Sequence, residues 1–123
     1  MPLFTSRYST DTAATGAKCS LTGWGTTRAG ASTLPTNLQL VYVDIVDHER
    51  CAQGYANSQG VDDKMICAGV RGGGKDSCQG DGGGPLVETA SGKQVGVVSW
   101  GFGCGRHGRD GVYTSTAAYL PWI

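Results

Sequence analysis

The sequence predicts an all-β fold, either a barrel or a sandwich, of short strands joined by glycine-rich turns. The chain has 21 glycines among its 123 residues, which indicates many tight turns. Runs dense in Val, Ile, Leu and Tyr alternate with these turns, as expected for strands. An evident hairpin surrounds Ser91 and Gly92, with an apolar run on each side. By its length the chain is one domain or a part of a larger one.

The first half of the chain begins with a polar lead-in and continues with two strands. Residues 1–17 are rich in Thr, Ser and Ala without periodicity, which is typical of a linker or extended segment. Cys19–Gly25 is predicted to form a short strand that ends in a glycine-flanked tryptophan. After a small-residue loop at 26–36, the dense apolar run Asn37–Val46 is predicted to form a buried strand. We therefore place the folded domain at 18–123.

The second half begins with a predicted helix. Asp47 is a plausible N-cap and Glu49 lies in the first turn, so a helix should begin near His48. The remaining strands are predicted at Lys64–Val70, Pro85–Glu88, Gln94–Trp100 and Gly111–Thr114. Thr116–Ile123 is predicted to begin a short C-terminal helix, in which Pro121 can lie only in the first turn.

The segment 75–86, with the sequence KDSCQGDGGGPL, is the most distinctive stretch of the chain. Gly, Pro and Asp dominate it, so it is predicted to be an irregular loop and not a strand or helix. From Gln79 to Pro85, the glycines allow backbone N–H groups to converge without interference from side chains. Such a nest can bind an anion or a developing oxyanion.

The five cysteines favour disulfides over a metal site. They are widely spaced, contain no CxxC motif and are accompanied by only two histidines, so a zinc site is not predicted. A disulfide framework formed in an oxidising compartment is favoured. Spacing alone does not give the pairing.

The loop Asp76–Pro85 resembles the active-site loop of trypsin-like serine proteases, with Gly82 at the position of the nucleophilic serine. The resemblance covers roughly Lys18–Ile123. It implies the second six-stranded antiparallel barrel of that fold, with a short C-terminal helix. In this family the active site lies between two such barrels, and no sequence resembling the first barrel is found here.

The resemblance also implies a specificity pocket. Asp76 corresponds to the residue at the base of the trypsin-type pocket, where a carboxylate pairs with an Arg or Lys side chain. Glycines at Gly101 and Gly111 leave room for such a long side chain, and the N–H groups of Gly80 and Gly82 match the oxyanion hole. The complete predicted pocket comprises Asp76, Ser77, Ser99, Trp100, Gly101 and Gly111.

The family pattern implies the disulfides as well. Cys51 should pair with Cys67, and Cys78 with Cys104. Cys19 matches a family cysteine whose partner position is occupied by Glu88 in this chain. Cys19 is therefore expected to be free or bonded to something outside the chain.

Asp81 corresponds to the aspartate that pairs, in active family members, with the amino terminus released by zymogen cleavage. Met1-Pro2 lacks the required Ile or Val start. We therefore expect a zymogen-like, mobile region at 72–84.

These features predict a chain that does not hydrolyse peptides. Acyl transfer needs a nucleophile, a base and an acid that orients the base. Gly82 has no hydroxyl group, and the base and its aspartate belong to the first barrel in this family. By position, His48 is expected to be a surface residue. His107 is expected to lie on a loop near the pocket rim.

Three functional hypotheses follow from the resemblance. In the first, the chain is the C-terminal half of a trypsin-like endopeptidase and is inactive as written. Gly82 then reflects loss of the nucleophilic serine, either by engineering or naturally. The alternative is a natural pseudoprotease that binds inhibitors or substrates without cleavage. The weakest is one half of an active two-chain enzyme, because Gly82 would still leave it without a nucleophile.

Partners are expected to be peptides or proteins with Arg or Lys at P1, the residue before the bond that a protease cleaves. A first-barrel chain or self-association is expected to cover the apolar face left by the first barrel. Ten basic residues balance ten acidic ones, so nucleic acid and anionic membranes are not predicted partners. No cofactor or metal is predicted. We expect the protein to be secreted, with its signal outside this chain.

Overall fold

The computed structural model describes residues 13–27, 29–56, 60–70, 73–101, 103–105 and 110–123. In these ranges the strands are β1 (Lys18–Gly23), β2 (Gln39–Ile45), β3 (Met65–Gly69), β4 (Pro85–Glu88), β5 (Gln94–Trp100) and β6 (Gly111–Ser115). One helix, α1 (His48–Gly54), precedes β3, and a 3-10 helix (Ala117–Tyr119) follows β6. Most of the predicted lead-in at 1–17 lies outside the described residues.

The strands form a closed barrel in the order β1-β2-β3-β6-β5-β4. Every neighbouring pair is antiparallel, and β4 closes the barrel by pairing with β1. The six-stranded antiparallel barrel is therefore confirmed, and the sandwich is not. Closure leaves none of the six described strands with a free edge.

The barrel core follows from the alternation of side chains along each strand. In β1, Cys19 and Leu21 point inward and are at most 4% exposed, while their neighbours are not buried. The core cluster consists of Cys19, Leu21, Val43, Ile45, Ile66, Ala68, Leu86, Val95, Val98 and Tyr113. Burial of these side chains accounts for the apolar runs seen in the sequence.

Helix α1 begins as the sequence predicts. The Asp47 side chain accepts a hydrogen bond of 3.0 Å from the Arg50 N–H, so Asp47 is the N-cap. The Cys51–Cys67 disulfide ties this helix to β3. A second core cluster forms there, in which Cys51, Cys67, Tyr55 and Val112 are all buried.

The C-terminal segment is less helical than the sequence predicts. Only Ala117–Tyr119 forms a 3-10 helix, and the N–H groups of Tyr119 and Leu120 bond three residues back. Pro121 cannot donate a backbone hydrogen bond, so a regular α-helix does not continue through it. Within the described ranges, no helix is long and apolar enough to cross a membrane.

Cys19 is free and completely buried. The register places it opposite Glu88 of β4, the position where the family cysteine would stand. Burial raises the pKa of its thiol to about 11, and the charges of Glu88 and Asp44 add to this effect. A sulfur enclosed in the barrel is out of reach of another chain, so this fold favours the free thiol.

Candidate functional site

One cavity of about 290 Å³ brings together the residues that the sequence assigns to a pocket. Its walls come from the loop between β3 and β4, the end of β5 and the start of β6. The predicted residues that line it are Asp76, Ser77, Gly80, Gly82, Ser99, Trp100, Gly101 and Gly111. The Cys78–Cys104 disulfide joins the loop to the opposite wall of this cavity. Both disulfides are thus the pairs that the resemblance implies.

Asp76 is held by backbone N–H groups. Its Oδ1 accepts a hydrogen bond of 2.8 Å from Ser77 N, and its Oδ2 accepts one of 3.1 Å from Gly105 N. Burial raises the pKa of the Asp76 carboxyl to about 6, and nearby Asp110 raises it further, although these two hydrogen bonds act in the opposite direction. None of the described cations contributes to this shift. The result is a carboxylate that lacks a positive partner within the described chain.

Gly111 makes room for this carboxylate. A Cβ atom at position 111 would overlap Asp76 Oδ1 and crowd the Tyr113 ring at 3.1 Å. Any side chain there would therefore displace Asp76 or Tyr113. By contrast, a Cβ at Gly101 would make only ordinary contacts, the nearest being 3.5 Å from Tyr55 Oη.

Ser77 connects the loop to the barrel core. Its Oγ lies 3.2 Å from the hydroxyl oxygen of Tyr113, which is fully buried. Burial raises the pKa of the Tyr113 hydroxyl, so this group stays protonated and can donate. Ser77 Oγ also lies 3.5 Å from Asp76 Oδ1. A polar network therefore runs from the core to the base of the cavity.

Tyr55 supports the other wall, and sequence reasoning did not identify it. Its hydroxyl donates a hydrogen bond of 2.5 Å to the Asp110 carbonyl, directly before Gly111. Its ring packs edge-on against Trp100, with centroids 4.8 Å apart. Tyr55 lies just after α1, far along the chain from the glycine loop, so no motif in the sequence connects it with the cavity.

The loop backbone presents unpaired N–H groups. Those of Gly80 and Gly82 are among them and make no hydrogen bond to any residue that the structure describes. The N–H of Thr26 donates to the Gln79 carbonyl at 2.7 Å and so holds the Gln79–Gly80 peptide in place. Thr26 is another contributor that the sequence motif did not reveal.

Gly82 differs from the other glycines of this loop. Gly80 and Gly83 have positive φ angles of 95° and 84°, which side chains rarely adopt. A Cβ at Gly84 would lie 2.9 Å from the Asp81 carbonyl oxygen. Gly82 has no positive φ, and no atom lies within 4 Å of a Cβ built there. The fold therefore does not require glycine at 82.

Asp81 faces away from this cavity, toward the end of β1. Its Oδ1 accepts from Gly25 N at 2.8 Å and its Oδ2 accepts from Cys78 N at 2.9 Å. Side chains at Gly23 or Gly25 would overlap the carboxylate, which explains the glycines that flank Trp24. Asp81 lines a neighbouring cavity of about 210 Å³, which shares Asp76, Ser77 and Cys78 with the first cavity. The mobility predicted for 72–84 stays a prediction, and residue 72 lies outside the described residues.

The histidines do not add a base to the described part of the cavity. His48 is in α1, where its Nε2 lies 2.8 Å from the Asp62 carbonyl oxygen. His107 lies outside the described residues. Among the described residues, no group of three or more His, Cys, Asp or Glu side chains is placed to hold a metal ion.

Comparison with known proteins identifies relatives along nearly the whole chain. The sequence model of the Trypsin family matches residues 2–123. The chain is 51% identical over 105 residues to Trypsin Blo t 3 of Blomia tropicalis, covering 84% of this chain and 39% of that protein. It is 41% identical over 111 residues to trypsin of Sus scrofa, covering 90% of this chain and 46% of that protein. The chain thus spans less than half the length of these relatives.

Comparison of structures agrees with comparison of sequences. The fold superposes with a TM-score of 0.87 and 36% identity on neuropsin, a serine protease expressed in the limbic system of mouse brain. The match covers 95% of this chain and 51% of that chain.

Proposed function

The chain belongs to the trypsin family of serine proteases, and on that premise we propose that it is the C-terminal half of a trypsin-like endopeptidase domain that binds Arg or Lys side chains but does not cleave peptides. The observation that carries this proposal is the carboxylate of Asp76 beside a cavity whose described residues offer it no cation.

The Arg/Lys preference rests on charge and space. A partly buried carboxylate is stabilised by a guanidinium or ammonium group that enters the cavity. The charge-assisted hydrogen bond between them replaces the hydrogen bonds to water that burial removes from the carboxylate. Gly111 and Gly101 put no side chain across the path to Asp76. The cavity of about 290 Å³ is large enough to bury most of an arginine side chain.

The lack of cleavage rests on Gly82. Covalent acyl transfer requires a hydroxyl or thiol nucleophile at the mouth of the pocket. Gly82 has no side chain, although the N–H groups of Gly80 and Gly82 are unpaired within the described chain. Substrate therefore binds at this position, but no acyl-enzyme forms and the peptide bond stays intact.

A second candidate function is a natural pseudoprotease that acts as a binding module. One observation favours it: the backbone at Gly82 tolerates other residues, so loss of the serine leaves the fold and the cavity intact. The two candidates share their binding chemistry. The codon for residue 82 in the source gene separates an engineered from a natural loss, and a serine codon there would exclude the natural pseudoprotease.

Binding is tested by calorimetric titration with acetyl-arginine N-methylamide at pH 7.5. We expect binding that weakens at least about tenfold when the ligand is the uncharged isostere acetyl-citrulline N-methylamide. The Asp76→Asn variant should lose this discrimination, whereas Asp63→Asn, which changes an exposed carboxylate outside the cavity, should keep it. Equal binding of both ligands by the unmodified chain would refute the Arg/Lys proposal.

Cleavage is tested with an arginyl amide substrate whose hydrolysis releases a chromophore. The chain should show no turnover, and no acyl-enzyme should be seen by intact mass. Turnover that copurifies with the chain and disappears in Asp76→Asn would overturn the proposal that Gly82 abolishes activity.

We also propose an apolar contact surface on the barrel, defined by Trp24, Leu34, Leu38 and Leu40. Each of these side chains is more than half exposed, and such a group of large apolar residues favours association. A chain that supplies the other half of the protease fold, or a second copy of this chain, would cover it. Light scattering after size exclusion tests this: a monomer at all concentrations, which does not bind a separately produced first barrel, would refute it.

The two disulfides support an oxidising, extracellular location. Intact mass under non-reducing conditions should show four oxidised cysteines and one free thiol.

A further inference from the structure

A groove runs beside β3, apart from the cavity that contains Asp76. Its volume is about 260 Å³, and it shares no lining residue with that cavity. Its walls come from the segment before β1, the chain between β2 and α1, and the start of β3. The lining of this β3 groove includes Ala13, Val46, His48, Asp63, Met65 and Ile66.

The floor of the β3 groove is apolar. Ile66 belongs to the barrel core, whereas Val46 and Met65 are only partly buried and pack against the second core cluster. The Val46 N–H donates to the Cys67 carbonyl at 3.0 Å, which holds this wall against β3. An enclosed apolar cavity of about 150 Å³ is enough to bind benzene. The β3 groove therefore has room for one Leu, Met or Phe side chain.

Acidic side chains gather at one end of the β3 groove. His48 Nε2 lies 2.8 Å from the Asp62 carbonyl oxygen, so the start of α1 contacts the turn before β3. Asp47 and Glu49 adjoin His48 in the chain, and Asp63 adjoins Asp62. Because neighbouring residues are about 3.8 Å apart, this contact brings four exposed carboxylates to the same place.

Two of these four carboxylates have no partner within the described ranges. Those of Asp47 and Asp62 each accept a hydrogen bond from a backbone N–H. Those of Glu49 and Asp63 make no hydrogen bond or ion pair to any residue that the structure describes. The neighbouring Lys64 does not neutralise them, because its Nζ lies 5.2 Å from the centroid of a tyrosine ring in the C-terminal segment.

We propose that the β3 groove binds a segment of another protein in which a large apolar side chain is accompanied by Lys or Arg. The apolar side chain fills the space beside Val46 and Met65, and the cation pairs with Glu49 and Asp63. Charge decides the occupant: no Lys or Arg lines the groove, so an acidic or neutral segment would leave these carboxylates unpaired.

Both parts of the segment are needed. An exposed ion pair changes affinity by at most about fivefold, so the acids alone do not hold a cation firmly. Burial of a leucine side chain contributes more, because it removes apolar surface of both partners from water. His48 adds a polar contact: its Nε2 donates to the Asp62 carbonyl, so the Nδ1 of a neutral ring remains an acceptor.

The experiment is a calorimetric titration of the oxidised chain with the peptide acetyl-Lys-Ala-Leu-Ala-Lys-amide. Side chains two residues apart share a face of an extended chain, so a cation accompanies the leucine in either direction. We expect this peptide to bind at least about tenfold more tightly than acetyl-Lys-Ala-Ser-Ala-Lys-amide or acetyl-Glu-Ala-Leu-Ala-Glu-amide. Equal binding of the leucine and serine peptides would show that charge alone attracts them and would overturn the proposal.

The same titration of Asp76→Asn separates the β3 groove from the first cavity. The leucine peptide should bind this variant as it binds the unmodified chain, because Asp76 lies outside the groove. Loss of binding in Asp76→Asn would place the lysines in the first cavity and overturn the groove. If the leucine peptide binds neither protein, the groove proposal fails while the Arg/Lys pocket, tested with its own ligands, is unaffected.

Substitution of the unpaired acids tests the charge. The double change Glu49→Gln/Asp63→Asn should weaken binding of the leucine peptide at least about fivefold. The matched control, Asp44→Asn/Glu88→Gln, removes the same charge beside Cys19 and should leave the affinity unchanged. Equal weakening by the two double changes would show general electrostatic attraction and contradict a site at the groove.

The apolar contact is tested by NMR on protein labelled with ¹³C in the methionine methyl groups. The chain has two methionines, and Met65→Leu assigns the Met65 signal. The leucine peptide should shift this signal, and the serine peptide at the same concentration should not. A Met65 signal that does not move when the leucine peptide is saturating would refute the proposed contact.

Discussion

The ionisation of Asp76 should control binding of guanidinium ligands. Binding of acetyl-arginine N-methylamide is expected to be constant above pH 7 and to weaken as the pH falls. The physical reason is that only the ionised carboxylate attracts the ligand, while burial raises the pKa of this carboxyl to about 6. An exposed aspartate would remain ionised down to about pH 4.

The size of the effect follows from that pKa. Below pH 6 the ionised fraction falls about tenfold for each pH unit, so affinity at pH 4 should be about 100-fold weaker than at pH 8. With an ordinary aspartate the same change of pH would weaken binding only about twofold. These two outcomes are well separated by calorimetry.

The assay is a calorimetric titration at each pH, with circular dichroism on the same samples to show that the chain stays folded. The ¹³C shift of the Asp76 carboxyl gives the pKa of the free protein directly. Asp76→Asn should show weak binding without this pH dependence. Affinity that is unchanged down to pH 5 in the folded, unmodified chain would refute the reasoning.

The remaining predictions concern stability and reactivity. Gly82→Ser should change the free energy of unfolding by no more than about 0.5 kcal/mol. Gly80→Ser, at a residue with a positive φ, should lower the free energy of unfolding by about 1–3 kcal/mol. Equal effects of the two substitutions in urea unfolding would contradict the backbone argument. Gly111→Ala should weaken binding of the arginine ligand at least about tenfold, because its Cβ overlaps Asp76, and unchanged affinity would disprove that contact. Folding raises the pKa of Asp76, so its contribution to the free energy of unfolding is fully present below about pH 4 and is lost as the pH rises through about 6. The loss is at most about 3 kcal/mol. Urea unfolding should show this fall in the unmodified chain and not in Asp76→Asn. Cys19 should resist alkylation at pH 8 in the folded chain and react on unfolding, and rapid labelling of the folded chain would contradict its burial.

Much of the barrel could be predicted from local sequence. The apolar run at 37–46 produces β2, because its side chains are those that pack on a pleated surface. Asp47 begins α1 through a short-range hydrogen bond, which its own side chain supplies. The C-terminal helix is shorter than predicted: only Ala117–Tyr119 is helical, and Pro121 offers no N–H to continue a regular α-helical ladder.

The candidate site was predictable where the residues match the pattern of a known family. The run Asp76–Pro85 identified the loop, and the resemblance named the distant residues Ser99, Trp100, Gly101 and Gly111. The structure brings these four residues to the cavity that Asp76 lines, while their role in Arg/Lys binding stays a proposal.

The sequence by itself determined the all-β class, the turn-forming glycines and the absence of a side chain at position 82. Only the tertiary structure decided which glycines the fold requires, that Tyr55 and Thr26 support the cavity, and that the Asp76 carboxyl has a pKa near 6. The reason is range: turn chemistry and strand pattern act between neighbours in the chain. Burial, close approach and electrostatic shifts depend on atoms from distant segments, which closure of the barrel brings within a few ångströms of one another.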